Sequence, residues 1–437
     1  MNITISPSDF GGTVVAPVSK SHVHRLLICA ALCRGDDEIT IKLGTDSELS
    51  NDIKATAECL RALGAVVAVN GDSITVLPIK KPPQPADLMC GESGSTLRFM
   101  LPVTAALSVD ARFHMEGRLP SRPLSPLYEE MENHCCALSY LDNCKTPLNL
   151  SGRLAGGKFT LPGNVSSQYI SGLLLALPLT ESGGEIEITR TRESQAYIDM
   201  TIEAMRTFGV IFNETPTGYS VSANQRYSAA NIKHNTITAE GDWSNGAFWL
   251  TLGAISTNAE HGVTCENLNP DSIQGDKEIV NILKSVGADI NIDNCRISVR
   301  HRALTAPKQP ISLAAIPDLG PIVSVIAAVS DGETRLIDAG RLRIKESDRL
   351  SAITAMIRNL GGDITETDDS LIIRGKPHLR SIAPVDGFND HRIVMAAAIA
   401  SAVCENDVTI TDSEAVKKSY PSFFDEFERL KRRKGVQ

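Results

Sequence analysis

One pattern recurs along this chain and limits its fold more than any other feature. An amphipathic helical stretch ends at Leu-Gly-Ala or close to it, then turns into a strand of alternating apolar residues. Clear copies run from Asp52 to Val69, Ile198 to Asn213, Glu278 to Ile292 and Leu350 to Glu366. In each, apolar residues fall at helical spacing and a glycine stands where a helix C-cap needs a left-handed residue. A weaker copy, Leu127 to Leu141, has Cys136 in the glycine's place, and FFDEFERLKRRKG near the C-terminus is a sixth. Successive copies begin about 70 to 80 residues apart, and self-similarity at a fixed period marks an architecture. Six α/β units are expected, three in each of two domains.

Composition narrows the function classes. With 437 residues, 42% hydrophobic and 22% charged, the chain lies far from disordered, collagen-like or disulfide-scaffold proteins. The opening MNITISPSDFGGTVV lacks a basic start and an apolar core, and no apolar run approaches the roughly 20 residues that span a membrane. A soluble, cytoplasmic protein with no membrane partner is expected. Ten cysteines without a repeated C-x-x-C pattern read as reduced, mostly buried thiols. The formal net charge of −9 argues against a general nucleic-acid binder, so an anionic ligand must be held by locally clustered cations.

Such clusters occur at strand-to-helix junctions. GGTVVAPV leads through SKSHVHR into an apolar helix, and this junction offers backbone N–H groups and a positive helix end to an anion, with Lys20, Ser21 and Arg25 adding donors. A solvated basic helix start would look similar. In CGESGSTLRF, Gly91 and Gly94 with Ser93, Ser95 and Thr96 form a small-residue turn that a ligand can approach closely; a tight turn without a ligand is the alternative. GRLPSRPLSPL places Arg122 on a loop or lid. Ser166, Ser167 and Gln168 crowd one helix start, where capping needs only one serine, and Ser194 and Tyr197 precede another. IPDLGPI presents Asp318, and RLRIKESDRL packs Arg341, Arg343, Lys345, Glu346, Asp348 and Arg349 into a short run after a strand. Asp390, His391 and Arg392 stand at the mouth of a small, apolar helix, and Lys417 and Lys418 precede the last one.

Taken together, SKSHVHR, GESGSTLR, SRP, VSSQY, SQAYIDM, EGDWSN, IQGD, IPDLGP, RIKESDR, NDHR and VKKSYP resemble, in order and spacing, the enolpyruvyl transferases. The resemblance covers essentially the whole chain and is strongest to the members that act on shikimate 3-phosphate. KESDR, NDHR and a late K-S-Y-P are specific in combination, whereas each glycine or serine motif alone is weak. The resemblance implies an α/β fold of two similar domains, each of three βαβαββ repeats forming an inside-out α/β barrel with the substrate cleft between them. One domain is expected over residues 17–238, on the shikimate 3-phosphate side. The other is expected to join 1–16 with 239–437, on the phosphoenolpyruvate side.

Roles follow by resemblance. Lys20 is expected to contact both substrates. Ser21 and Arg25 would meet the shikimate ring and carboxylate, Ser166, Ser167 and Ser194 the 3-phosphate, and Tyr197 the pocket wall. Asp318, Arg341 and Lys345 complete the shikimate 3-phosphate set. Gly94, Arg122, Arg349, Arg392 and Lys418 would hold phosphoenolpyruvate, whose phosphate and carboxylate suit bidentate arginine, and Gln168 would lie between the two substrates. Asp318 with Lys345 is assigned to the attacking hydroxyl, and Glu346 to proton transfer at the methylene carbon. No cofactor and no metal are expected, His22 and His24 being only two apart, and a monomer is the family's default. Gly94 leaves room at the phosphoenolpyruvate site, so competitive inhibition by the phosphonate glyphosate is expected.

Departures from the family pattern are Val18 for a glycine, Glu92 for an asparagine, Gln195-Ala196 for Lys-Pro, and Arg341 where asparagine is common. Glu92 is expected to point away from the anion site or to pair with a cation. Two other functions compete. The sister enzymes acting on UDP-N-acetylglucosamine typically carry a cysteine in the loop before their Arg-Pro and asparagine after the first lysine, whereas here the loop reads GRLPSRP with no cysteine and Ser21 follows Lys20. A non-catalytic binder of phosphorylated metabolites would lose proton-transfer groups, yet Asp318, Lys345 and Glu346 are all present.

Overall fold

The computed structural model describes residues 1–44, 48–140, 145–223, 225–256 and 262–432. The chain divides into two compact units: Val18–Ala239, and a second made of Met1–Pro17 with Glu240–Gln437. Each has its own apolar core.

The Val18–Ala239 unit holds three four-stranded sheets of one design. Ala86–Gly91 runs parallel to Ala111–Met115, which pairs antiparallel with Leu148–Gly152, which pairs antiparallel with Cys136–Tyr140. The sheet of Gly157–Pro162, Gly183–Thr189, Gly218–Ser222 and Phe212–Thr215 repeats this pattern. Along the chain each is a strand, a buried helix, a parallel strand, an amphipathic helix and a hairpin. In the third sheet, Ile39–Lys42, Ser73–Leu77 and Val66–Asn70 are local in sequence, while the parallel strand is Thr236–Thr238 from the far end of the unit.

The second unit repeats the design twice in full. Gly12–Val15 lies parallel to Val263–Glu266, which continues antiparallel through Arg296–Arg300 to Asp289–Asp293. Ile311–Ser312, Glu333–Ile337, Leu371–Arg374 and Asp363–Glu366 form the next sheet. The last copy is reduced. Val385 bridges in parallel to Ile410, and among the described residues no hairpin follows; Ile3–Ile5 pairs with Val408–Ile410 and Asp9–Phe10 with Lys431–Arg432. Phe10 fixes this closure by packing on Phe427 with ring centroids 4.8 Å apart.

The helices divide by composition. Lys20–Ala31, Gly94–Ala106, Ser167–Ala176, Trp243–Ile255, Gly320–Val329 and His391–Ala400 are built from apolar and small residues and are buried along most or all of their length. A fully buried Leu, Ile or Phe contributes roughly 1.5–3 kcal/mol relative to exposure, so these six helices form the two cores. The amphipathic helices bury one face, as Phe423–Leu430 does with Phe423, Phe427 and Leu430. Their C-terminal glycines are left-handed as the repeat requires: Gly64, Gly209, Gly287 and Gly361 have φ of 96°, 79°, 96° and 76°. In the weak copy that position falls to Cys135, at φ 67°, while Cys136, where the sequence pattern put it, already begins the strand. Leu141, Cys144 and the last copy's Arg433, Lys434 and Gly435 lie outside the described residues. Every described cysteine is an unpaired thiol, and among the described residues no helix is long and apolar enough to cross a membrane.

Candidate active site

The buried helices of Val18–Ala239 start with the residues singled out by motif. Ser19, Ser93 and Ser166 cap them, each side chain accepting one backbone N–H, from His22, Thr96 and Gln168. A single cap satisfies one of several first-turn donors, so each start keeps a positive end for an anion. Two starts touch: Gln168 Nε2 donates to Ser95 Oγ at 2.9 Å, and its Oε1 accepts from Arg98 Nη1 at 3.1 Å. Bare backbone at Gly94 faces two guanidinium groups, since an added Cβ would lie 2.5 Å from Arg98 Nη1 and 2.8 Å from Arg122 Nη1. Ser167 is buried at the helix start beside Gln168. Arg98 was not singled out from sequence, although it sits one helical turn after Gly94 and shares its face.

Lys20 Nζ pairs with Asp52 Oδ2 at 2.7 Å. Arg25 is turned into the protein: its guanidinium donates to Ser21 O, Tyr197 O and Thr201 Oγ1 at 2.6–2.8 Å. Burial pulls its pKa down to about 10, leaving it charged near neutrality. Ser194, buried, precedes the helix Gln195–Thr207 in the left-handed region at φ 55° without capping it. A non-glycine residue there costs roughly 1–2 kcal/mol, so the surrounding structure must hold the backbone in this turn. Gln195, a departure, donates to Asp199 Oδ1 and the Tyr219 hydroxyl, both at 2.7 Å. Glu92 folds against Gly117.

The second unit assembles a network of acids and bases. Asp318 sits in the turn Pro317–Leu319 before its buried helix. Its Oδ1 meets Arg349 Nη1 at 2.8 Å and Lys345 Nζ at 3.5 Å, and its Oδ2 meets Arg392 Nη2 at 3.1 Å. Arg349, 1% exposed, also pairs with Glu346 at 2.6 Å and with Asp390 at 2.8 Å. Asp390 in turn accepts the Ser347 hydroxyl and caps His391–Ala400 through the Arg392 N–H. Burial disfavours the Arg349 charge, but Asp390, Glu346 and Asp318 outweigh it and hold the pKa well above normal. Lys345 goes the other way: burial, aided by Arg341 and Arg349 and opposed by Asp318, brings it down to about 8. A fifth of its side chain remains exposed.

Asp276, the last residue of IQGD and without an assigned role in the sequence, is buried and hydrogen-bonded to Ser244 in the first turn of Trp243–Ile255. Burial and the nearby Asp318 raise its pKa to about 6 against the pull of Arg392. The charged run 341–349 is thus split in function. Lys345, Glu346 and Arg349 join the network, whereas Arg343 pairs outward with Asp348 and Glu366 at 3.1 and 2.9 Å, and Asp348 caps Arg349–Asn359. Arg341 lies half-buried in the turn Gly340–Ile344, close enough to act on Lys345 electrostatically. Lys418 Nζ, largely buried, donates to Asn389 O at 2.6 Å.

A family model described as EPSP synthase (3-phosphoshikimate 1-carboxyvinyltransferase) matches residues 5–427. The chain belongs to the EPSP synthase family. Among curated members of that family, the 3-phosphoshikimate 1-carboxyvinyltransferase of Clostridium kluyveri is 40% identical, over 98% of this chain and 97% of its own. That of Clostridium acetobutylicum is 39% identical, again over 98% and 97%. In fold, the chain matches a solved EPSP synthase from Acinetobacter baumannii with a TM-score of 0.78, at 23% identity, over 98% of both chains. It also matches the enolpyruvyl transferase NikO from Streptomyces tendae with a TM-score of 0.75, at 14% identity, over 98% of this chain and 96% of that one. The βαβαββ repeats described above are therefore the EPSP synthase fold.

Proposed function

We propose that this chain transfers the enolpyruvyl group of phosphoenolpyruvate to the 5-hydroxyl of shikimate 3-phosphate, releasing phosphate, in aromatic amino acid (chorismate) biosynthesis. The observation that carries the reading is the family match over residues 5–427, joined by 40% identity to a 3-phosphoshikimate 1-carboxyvinyltransferase along almost the full length.

The roles are assigned as follows. Residues 18–239 supply the shikimate 3-phosphate set: Ser166, Ser167 and Ser194 for the phosphate, Ser21, Arg25 and Tyr197 for the ring and its carboxylate, with Lys20 and Gln168 serving both substrates. Gly94 and Arg122 of the same unit join Arg349, Arg392 and Lys418 on phosphoenolpyruvate. Asp318, Arg341 and Lys345 act toward the 5-hydroxyl. Each guanidinium nitrogen of Arg349 already bonds a carboxylate, and substrate oxygens would take over the place held by Glu346. That exchange has a chemical use. Glu346, released from its cation and shielded from water, gains proton affinity.

The steps then balance. Asp318 accepts the 5-hydroxyl proton as the oxygen bonds to C2 of phosphoenolpyruvate, and Glu346 delivers a proton to the methylene carbon, making it a methyl group. Phosphate leaves the tetrahedral intermediate with the proton that Asp318 took from the hydroxyl, while Glu346 takes a methyl proton back, which restores the double bond in the product and returns both carboxyl groups to their starting states. Placed general acids and bases contribute typically 10²–10⁴-fold each. A cytoplasmic, monomeric enzyme completes the reading, both points resting on the resemblance. The test is phosphate release by the purified protein given phosphoenolpyruvate with either shikimate 3-phosphate or UDP-N-acetylglucosamine. Release with shikimate 3-phosphate alone supports the reading. Release with the nucleotide sugar, or with neither, would replace it by the sister activity or by a non-catalytic binder.

A further inference from the structure

Behind Lys20 and the Gly94 turn lies a buried chain of hydrogen bonds that the proposed chemistry does not use. His24 Nδ1 is 2.7 Å from Thr56 Oγ1, Thr56 Oγ1 is 2.7 Å from Thr96 Oγ1, and Thr96 Oγ1 donates to Ser93 Oγ at 2.7 Å. His24, Thr56 and Thr96 are wholly buried and Ser93 is 1% exposed. The chain joins three separate elements: the helix that starts at Lys20, the helix Asn51–Ala62, and the cap of the helix that starts at Gly94.

The hydrogens can be placed by inventory. Thr96 has one hydroxyl hydrogen and spends it on Ser93, so it accepts from Thr56; Thr56 has then spent its own and accepts from His24. His24 is therefore the Nδ1–H tautomer. Its Nε2, buried with no hydrogen-bond partner, is the unprotonated nitrogen, which is the cheaper atom to leave unmatched because orphaned N–H groups are the rarer kind. Burial, with Lys20 and Arg25 nearby, keeps the ring neutral.

The geometry is that of a brace. Lys20 and His24 are four residues apart on one helix, and Asp52 and Thr56, their partners at 2.7 Å each, are four apart on the next. Two rungs one turn apart resist both sliding and rotation between these helices. The second rung continues through Thr96 to the serine that caps the Gly94 helix, so the brace reaches the glycine turn as well.

We propose that His24 is a positioning residue which, through Thr56 and Thr96, sets the Gly94 turn relative to Lys20. This rests on the assignments made above of the Gly94 turn to phosphoenolpyruvate and of Lys20 to both substrates. Lys20, Ser21 and Arg25 stay together on the His24 helix, so loosening the chain shifts chiefly the Gly94 turn and should weaken phosphoenolpyruvate more than shikimate 3-phosphate.

Thr56→Val removes the central hydroxyl at nearly constant shape, and His24→Phe removes the ring donor. Each is expected to raise KM for phosphoenolpyruvate about tenfold, with kcat and KM for shikimate 3-phosphate within about twofold of the parent. Thr56→Ser, and His24→Asn with its amide at the Nδ1 position, should restore parental values. An unchanged KM for phosphoenolpyruvate in Thr56→Val, a parallel rise in both KM values with a fall in Tm, or His24→Asn as impaired as His24→Phe would overturn the proposal. The parent protein is assayed first: no turnover there would sink the functional reading itself, whereas an active parent with an indifferent Thr56→Val would sink only the brace.

Discussion

Glu346 Oε2 lies 2.6 Å from Arg349 Nη2, with the glutamate side chain 23% exposed and the arginine 1%. The pair is unequal: Arg349 keeps Asp390 and Asp318 if Glu346 is neutralised, so the fold loses little. Glu346→Gln is therefore expected to leave Tm within about 2 °C, while kcat falls at least about 100-fold. Thermal unfolding beside steady-state kinetics checks both. A large Tm loss with kcat preserved would assign Glu346 to structure instead.

Lys345 predicts a pH limb. Its pKa near 8 means that the ammonium facing Asp318 loses its proton as pH rises through that value. If the charged form works on the hydroxyl side, kcat/KM for shikimate 3-phosphate should decline above about pH 8. Lys345→Arg, which stays charged in that range, should move the decline beyond about pH 9 even where its maximum is lower. A profile flat to pH 9.5 in the parent would contradict the role.

Gly94→Ala is expected to act through the guanidinium groups of Arg98 and Arg122, the nearest atoms to the added methyl group. Both are flexible side-chain ends, so they shift rather than unfold the turn. KM for phosphoenolpyruvate should rise about tenfold, and competitive inhibition by glyphosate should weaken by a larger factor. Unchanged inhibition in this variant would remove glyphosate from the site.

Asp276 makes a prediction about stability. Its folded pKa of about 6 exceeds the reference value of 3.8. The contribution is therefore fully present below about pH 4 and is lost as pH rises through about 6, amounting to about 2–3 kcal/mol. Asp276→Asn can still accept the Ser244 hydroxyl hydrogen bond without carrying a charge. It should be more stable than the parent at pH 7.5 and lose that advantage at pH 4, as read by denaturant unfolding at the two pH values. An advantage independent of pH would contradict the assignment.

The repeat was legible because each copy carries its own helix period and a left-handed C-cap. What stayed hidden was closure. The two- and three-residue strands Ile3–Ile5 and Asp9–Phe10 pair with residues some 400 positions away, and strands that short have no pattern to read. Cys135 and Cys136 show the limit locally, since either residue satisfies the spacing and only the backbone decides. At the site, Lys20, Gly94, Gln168, Asp318 and Arg349 stood out because helix starts and a dense charged run are linear features. Their partners did not. Asp52 meets Lys20, Arg98 meets Gln168 and Asp276 feels Asp318 through packing between helices or repeats, and no spacing in the chain announces such pairs.

The most direct measurement of the central claim is turnover in deuterium oxide, with the vinyl group of the product followed by proton NMR. Addition of a proton to the methylene carbon and later removal of one from the resulting methyl group predicts deuterium in the product's vinyl position, and loss of both turnover and incorporation in Glu346→Gln. A product formed from shikimate 3-phosphate and phosphoenolpyruvate with no vinyl deuterium would contradict the account.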